Sequence, residues 1–266
     1  MKPRPVVAGV DGSLAAEAAI RWATAEAASR GAELHLIQAV TPLLPGHTVD
    51  HAAAVEILDA AVALARELAP GVAVDGRLDD GTPSAALIKA STEADLVVIG
   101  SRGLGLMLGA LIGSTGLDLA ANAWCPIVVV RPDLAGESGT RVVIGYDGSS
   151  ASDRALELGL DYAHRHELKL RVVAAQPPNT ELHRITPEEL QAAVHDRAHG
   201  QHAELVQITG HPAEHLLRLS ADARLIVLGA RGRGGFTGML LGSTTQTVLH
   251  HAHCPVAIIP TAALGG

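Results

Sequence analysis

The sequence has few aromatic residues and no excess of positive charge. Its 266 residues include one Phe, two Tyr and two Trp, so it lacks the stacking surface on which single-stranded nucleic acid is bound. Lys and Arg number 20 against 28 Asp and Glu, and the resulting net charge of -8 argues against broad binding to a phosphate backbone. These absences predict a protein with no nucleic-acid partner.

Long apolar runs and cysteine pairs are also missing. No apolar stretch approaches the roughly 20 residues that a membrane-spanning helix needs. The chain enters a strand-like run at Pro5 without the pattern of a signal peptide. Cys125 and Cys254 stand alone rather than in a CxxC pair. We therefore expect a cytoplasmic protein with no membrane partner, whose cysteines are buried small side chains rather than redox groups.

What the sequence does contain is an internal repeat. GVDGS at residues 9–13 returns as GYDGS at 145–149, and SRGLGLMLGALIGST at 101–115 returns as ARGRGGFTGMLLGST at 230–244. The blocks stand in the same order in both halves, and a polar stretch with Pro, Gly and Ser separates the halves. The sequence therefore predicts two copies of one domain, residues 1–132 and 140–266.

Each copy alternates short aliphatic runs with helical segments. The predicted strands are 5–10, 34–40, 72–78, 96–99 and 127–130 in the first copy, and 142–146, 170–174, 205–208, 225–228 and 256–259 in the second. The predicted helices of the first copy are 15–30, 51–68, 83–93 and 114–123. Continuous aliphatic strands separated by helices are typical of a parallel sheet covered on both faces. The predicted fold class is α/β.

A glycine-rich loop follows the fourth predicted strand of each copy. A glycine just past a strand lets a ligand approach the backbone, and a Gly-Ser-Thr triplet opening a helix offers N–H groups and hydroxyls to an anion. The alternatives are simple turns for the glycines and solvated loop charges for the arginines. The candidate phosphate-binding residues are Gly100, Arg102, Gly103, Gly113, Ser114 and Thr115, and in the second copy Gly229, Arg231, Gly232, Gly242, Ser243 and Thr244.

An aspartate ends the first predicted strand of each copy. Asp11 and Asp147 would face the same crevice as the glycine-rich loops if the strand order reverses between the first and fourth strands. There each carboxylate could accept hydrogen bonds from ribose hydroxyls or an adenine amine. The alternative is that both aspartates only help to begin the helix that follows. Ser13 and Ser149 are expected to be helix caps rather than nucleophiles.

The histidines are concentrated in the second copy. His195, His199 and His202 are spaced to share one helical face. A metal site needs converging ligands with further support, so we interpret these histidines as a solvated face and predict neither a metal site nor a catalytic residue.

Taken together, the ordered motifs resemble a tandem universal stress protein of the ATP-binding type. The resemblance rests on the G-x2-G-x9-G-[ST] pattern in both copies, the aspartate at the end of strand one and the late Cys-Pro strand. It implies two Rossmann-like domains, each a five-stranded parallel sheet in the order 3-2-1-4-5, paired through the fifth strand. It also implies an adenosine site framed by Gly9, Val10, Asp11 and Ala39, and in the second copy by Gly145, Tyr146, Asp147 and Ala175.

The function implied by this resemblance is ATP binding, with Mg²⁺ on the phosphates and one site per domain. The protein would act as a stress or signalling regulator through nucleotide-dependent conformation or assembly, as a dimer and with a protein partner still to be identified. The alternatives are a slow ATPase or phosphotransferase, and an adaptor that binds no nucleotide.

Overall fold

The chain folds into two compact α/β units, Met1–Ala135 (unit 1) and Gly136–Gly266 (unit 2). The structure, a computed structural model, describes residues 2–41, 51–101, 113–132, 139–176, 185–198, 200–233 and 240–264. The predicted fold class is confirmed: strands and helices alternate along both units, and all strand pairs within each unit are parallel.

Unit 1 is built on a parallel sheet. Its strands are β1 (Val6–Val10), β2 (Leu34–Val40), β3 (Val74–Asp80), β4 (Leu96–Gly100) and β5 (Ile127–Val130). Its helices are α1 (Leu14–Arg30), α2 (His51–Leu68), α3 (Pro83–Ser91) and α4 (Ser114–Asn122). The pairings run β3-β2-β1-β4-β5, so β1 lies between β2 and β4. The chain therefore leaves β1 towards one side of the sheet and returns to its other side at β4, which opens a crevice at their carboxyl ends.

Unit 2 repeats this arrangement. Its strands are β6 (Arg141–Tyr146), β7 (Lys169–Gln176), β8 (Ala203–Thr209), β9 (Ala223–Gly229) and β10 (Val256–Ile259). Its helices are α5 (Ser150–Arg165), α6 (Pro187–Ala198), α7 (Pro212–Ser220), α8 (Ser243–His251) and the short 3-10 helix Ala262–Leu264. The pairings run β8-β7-β6-β9-β10, which places β6 and β9 side by side as the counterparts of β1 and β4.

The core of each unit is aliphatic, as the scarcity of aromatic residues requires. Every residue of β5 and β10 is buried, because helices cover both faces of a parallel sheet. The edge strands β3 and β8 are largely exposed. None of the helices in the described ranges is both long and apolar enough to cross a membrane.

The first helix of each unit begins at a serine. The hydroxyl of Ser13 accepts a hydrogen bond from the N–H of Ala16 at 3.1 Å, and that of Ser149 accepts one from Ser152 at 3.2 Å, so both are N-caps as predicted. The two helices end differently. Gly31 follows α1 with a φ of 61°, whereas the matching residue after α5 is Glu167, with a φ of 53°.

A buried serine links the third helix of each unit to the turn before its last strand. The Ser91 hydroxyl donates to the carbonyl of Ile88 at 2.6 Å and accepts from the N–H of Trp124 at 2.9 Å. In unit 2 the Ser220 hydroxyl makes the same two bonds, to Leu217 at 2.6 Å and from His253 at 3.0 Å. The link is the same in both units, although the residue that donates to the serine differs.

The prediction of a shared histidine face was wrong. Helix α6 ends at Ala198, so His195 is helical but His202 lies beyond the helix, and His199 lies outside the described residues. Gly200 has a φ of 90°, which no α-helix accommodates. Across the described ranges, no group of three or more His, Cys, Asp or Glu side chains forms a possible metal site.

Candidate functional site

The ends of the fourth strands are crowded by the first helices. A Cβ atom built on Gly100 would lie 2.6 Å from the carbonyl carbon of Ala15, and one on Gly229 would lie 2.7 Å from the Cβ atom of Ala151. A side chain at either position would displace the start of α1 or α5, since real Cβ contacts are longer. Close packing against the first helix therefore requires glycine at both positions. The alternative given above, that these glycines only make turns, does not account for this packing.

Backbone hydrogen bonds hold together the two ends of each glycine-rich loop. In unit 2 the N–H of Gly242 donates to the carbonyl of Ala230 at 2.8 Å, and the N–H of Ala230 donates to Ile259 at 2.8 Å. Unit 1 has the same closure, from Gly113 to Ser101 at 3.2 Å. The start of α4 or α8 is thereby fixed beside the end of β4 or β9.

Helices α4 and α8 begin without a side-chain cap. Their N-cap residues are Gly113 and Gly242, which make no side-chain hydrogen bond. The first N–H groups of a helix have no intrahelical partner, and the helix dipole adds positive potential at this end. The following pairs, Ser114–Thr115 and Ser243–Thr244, add hydroxyls at the same place. This arrangement suits an anion.

Asp147 binds the start of the loop in unit 2. Its Oδ1 atom accepts hydrogen bonds from the N–H of Ser149 at 3.1 Å and from the Ser149 hydroxyl at 2.6 Å. Its Oδ2 atom accepts one from the N–H of Arg233 at 2.7 Å. The Arg233 guanidinium donates to the carbonyl of Gly148 at 2.8 Å. A Cβ atom on Gly232 would collide with the same Oδ2 atom, so this glycine permits the approach.

Asp11 plays a matching local part in unit 1, where its Oδ1 atom accepts a hydrogen bond from the N–H of Ser13 at 2.9 Å. Both aspartates thus form a turn that leads into the capping serine, and they do not cap the helix themselves. Both aspartates therefore help to begin the helix that follows, as the alternative interpretation expected. Their carboxylates still lie at the ends of β1 and β6.

Sequence analysis named two candidate phosphate-binding arginines, Arg102 and Arg231, and the structure describes Arg231. Its Nε atom is buried and has no hydrogen-bond partner within the described part of the chain. A buried donor without a partner is costly, and such an atom commonly marks a position completed by a ligand or water. Arg102 and Gly103 lie outside the described residues.

The remaining predicted residues lie at or near the carboxyl ends of the first two strands of each unit. Gly9 and Gly145 lie against leucine side chains on one face of the sheet. Val10 and Tyr146, the next residues, are buried on the opposite face, with 6% and 7% of their surface exposed. Ala39 and Ala175 are the next-to-last residues of β2 and β7. The Tyr146 hydroxyl donates to Asp153 at 2.9 Å, and burial together with this bond raises the Tyr146 pKa to about 12.

Two residues that matter here were missed by sequence reasoning. Arg233 binds the turn after β6, and the hydroxyl of Thr245 donates to the carbonyl of Gly229 at 2.8 Å, which ties the first turn of α8 to β9. The repeat itself held a signal, because the matching residues of unit 1 are Leu104 and Gly116, neither of which can make such a bond.

A model of the universal stress protein family matches residues 3–131 and 139–260. The chain belongs to the universal stress protein family. Universal stress protein Rv2005c from Mycobacterium tuberculosis is 33% identical over 97% of this chain and 98% of its own length. Universal stress protein Rv2623 from the same species is 30% identical over 95% of each chain.

A solved structure extends the comparison to the tandem fold. A universal stress protein from Archaeoglobus fulgidus superposes with a TM-score of 0.77 at 20% identity, covering 98% of this chain and 99% of that one. The predicted membership in a tandem universal stress protein family is thus confirmed, both by sequence and by fold.

Proposed function

We propose that each unit of this universal stress protein binds one ATP at the carboxyl ends of its first and fourth strands. The observation that carries the proposal is the pairing of a crowded strand-end glycine with an uncapped helix start. In unit 1 the close-packed Gly100 ends β4 and Gly113 begins α4, and in unit 2 Gly229 and Gly242 hold the same places. The triphosphate would lie on the N–H groups at the helix start, which backbone hydrogen bonds hold beside the strand end.

The phosphate end of the ligand would meet the helix start. The first N–H groups of α8 and the hydroxyls of Ser243 and Thr244 would donate to phosphate oxygens. The unpartnered Nε atom of Arg231 would supply a charged hydrogen bond, which is stronger than a neutral one. In unit 1 the same parts would be Ser114 and Thr115, with Arg102 and Gly103 at the positions of Arg231 and Gly232. Mg²⁺ would enter with the phosphates, since this ion commonly takes phosphate oxygens and water as ligands.

The nucleoside end would lie by the aspartates. Although Asp147 already accepts three hydrogen bonds from protein donors, two carboxylate oxygens offer about four lone-pair sites, so one remains for a ribose hydroxyl. Gly9, Val10 and Ala39 in unit 1, and Gly145, Tyr146 and Ala175 in unit 2, would border the adenosine through their backbone.

We propose a regulatory role for the bound nucleotide. Ligand binding stabilises the bound conformation by about 2.7 kcal/mol when the free ligand exceeds Kd a hundredfold. That stabilisation is large enough to select one pairing of the two units, one dimer or one protein partner in the cytoplasm. Hydrolysis would need a group that positions water, and the carboxylates of the two sites, Asp11 and Asp147, both accept hydrogen bonds from the protein. A slow ATPase or phosphotransferase is the alternative activity, and a nucleotide-free adaptor is the alternative role.

The test is to denature freshly purified protein and to measure the nucleotide released. About two ATP per chain supports the proposal. ADP that accumulates during incubation supports the ATPase, and an empty protein that also fails to bind added ATP supports the adaptor.

Site-specific variants locate the binding. Gly113→Leu and Gly242→Leu place side chains at the helix starts, where an added Cβ atom meets no heavy atom within 4 Å at Gly113 and none closer than 3.6 Å at Gly242. Each should remove one ATP per chain while leaving the thermal unfolding temperature nearly unchanged. Gly71→Leu is the matched control, since Gly71 also has open space around it but lies after α2. Two ATP per chain in both site variants would refute the assigned loops.

A further inference from the structure

A cavity of about 410 Å³ lies between α1 and α2 in unit 1. Ile20, Ile57 and Leu64 supply much of its apolar wall, and Ser13 and Glu17 supply its polar groups. It shares only Val10 with the proposed nucleotide site. It opens to solvent beside the exposed Ala60, and its volume falls within the range of ligand pockets.

In unit 2 side chains occupy the region that corresponds to this cavity. Tyr146 stands at the position of Val10 in the repeat, and Asp153 stands at the position of Glu17. The buried Tyr146 ring carries its hydroxyl to Asp153 at 2.9 Å. Arg197 of α6 reaches the same carboxylate of α5 at 3.4 Å. An aromatic ring, a carboxylate and an arginine thus occupy the region between α5 and α6.

Unit 1 keeps the carboxylate of this arrangement but lacks the ring. Glu17 lines the cavity, and its charge is balanced within α1 by Arg21 at 2.8 Å, so no side chain from α2 is needed to pair with it. The residues that α2 presents to the cavity are Ile57, Ala60, Ala61 and Leu64, all aliphatic. Val10 has a small aliphatic side chain where Tyr146 has an aromatic ring. The cavity therefore offers an apolar wall and a hydrogen-bond acceptor.

We propose that this cavity binds a small uncharged phenol, whose ring takes the place that Tyr146 fills in unit 2 and whose hydroxyl donates to Glu17. A carboxylate can only accept hydrogen bonds, so it selects a donor such as a phenol hydroxyl. The Ser13 hydroxyl already accepts the N–H of Ala16 as a helix cap, so we assign the role of acceptor to Glu17. An anionic ligand is repelled by Glu17, and a ring without a hydroxyl leaves the carboxylate unused. This site is separate from ATP binding and does not depend on it.

The probe is p-cresol, which is the side chain of tyrosine without its backbone. Titration calorimetry should give one p-cresol per wild-type chain. In a protein labelled at the isoleucine methyl groups, the resonances of Ile20 and Ile57 should shift while that of Ile185 in unit 2 does not. Toluene should bind about tenfold more weakly, because it lacks the hydrogen bond to a charged acceptor.

Exchanging the two repeat positions provides reciprocal variants. Val10→Tyr supplies the ring from the chain itself and should abolish binding. Tyr146→Val removes the ring from unit 2, so it should create a second p-cresol site and lower the thermal unfolding temperature, and p-cresol should restore part of that loss.

A pair of surface variants keeps the test independent of core repacking. Ala60 is an exposed residue in the wall of the cavity, and Ala63 is an exposed residue of the same helix outside the wall. Ala60→Arg should abolish binding, whereas Ala63→Arg should leave it unchanged. The proposal is overturned if wild-type protein binds no p-cresol, if both arginine variants bind it equally, or if p-toluate binds as tightly as p-cresol.

Discussion

The Oδ2 atom of Asp147 lies 2.7 Å from the backbone nitrogen of Arg233, so the carboxylate at the end of β6 holds the start of the loop after β9. The two residues are 86 positions apart in the chain. The residue proposed to contact a nucleoside is therefore also the residue that positions the loop proposed to bind its phosphates. If the proposed nucleotide binds there, Asp147 would couple its nucleoside end to its phosphate end.

We expect Asp147→Ala to release the loop. Hydrogen bonds to charged groups stabilise by about 1.5 to 3 kcal/mol, so the amide of Arg233 should exchange its hydrogen at least about tenfold faster. ATP binding by unit 2 should weaken with it, for inorganic triphosphate as well as for ATP. Hydrogen exchange resolved by mass spectrometry or NMR measures the first effect. Asp11→Ala is the control and should leave Arg233 unaffected. An unchanged exchange rate at Arg233 in Asp147→Ala would show that the contact is not formed in solution.

The crowded glycine of unit 1 should be sensitive to a single methyl group. Gly100→Ala places a Cβ atom 2.6 Å from the carbonyl carbon of Ala15, which is backbone and cannot rotate away. We expect a loss of about 1 to 3 kcal/mol in the free energy of unfolding, as for other overpacked sites. Gly71→Ala is the matched control, because no heavy atom lies within 4 Å of its added methyl and its φ is not positive. Urea unfolding of both variants measures the difference, and equal stabilities would contradict the close packing.

The residues that follow α1 and α5 differ, so substitutions at Gly31 and Glu167 should change stability in opposite directions. Glu167 has a φ of 53°, in the left-handed region that is unfavourable for residues with a Cβ atom. Glu167→Gly should stabilise the protein by about 1 kcal/mol, and Gly31→Ala should destabilise it by a similar amount. Gly71→Ala, which has no positive φ and open space around it, is the control. Thermal and urea unfolding report these changes. The explanation fails if Glu167→Gly lowers stability.

The buried cysteines predict a pH dependence. Burial raises the pKa of the Cys125 and Cys254 thiols from 9.0 to about 12. Below pH 9 both thiols are protonated whether the chain is folded or unfolded. Above it the unfolded chain loses these protons first, so the free energy of unfolding should fall as the pH rises from about 9 towards 12.

Replacing both cysteines with alanine should remove this part of the decline, as measured by urea unfolding across that range of pH. In the wild-type folded protein, a thiol reagent at pH 8 should react only as fast as the chain opens. Immediate reaction of both thiols would show that they are not buried.

The sequence predicted the central strands of both copies and the helices of the first copy to within about two residues, because their periodicity is strong. Strand β5 and helix α2 have the predicted bounds. The edge strand β3 was predicted two residues early, since its polar residues carry little hydrophobic signal and its end is set by pairing with β2, from Leu34–Val74 to Val40–Asp80. The histidine face failed because a helix end depends on the local backbone, here at Gly200.

The candidate site was predictable in its residue types but not in its contacts. A Gly-Ser-Thr triplet that opens a helix indicates anion binding from the sequence alone. An aspartate at a strand end indicates an acceptor for ribose hydroxyls or an adenine amine. The bond between Asp147 and Arg233 joins distant segments, and so does the approach of Arg197 to Asp153. Both depend on how helices pack on the sheet. A residue-by-residue comparison of the two copies could have shown where they differ. It pairs Arg233 with Leu104 and Tyr146 with Val10.

Ser91 and Ser220 anchor the last strand of each unit in the same way, although the neighbouring sequences differ. Each hydroxyl bonds to backbone atoms on both sides, so the attachment of the last strand does not depend on whether Trp124 or His253 follows the fourth helix. The serine link uses no atom of the glycine-rich loops, so the sequence differences between the two loops leave this attachment of the last strand in place.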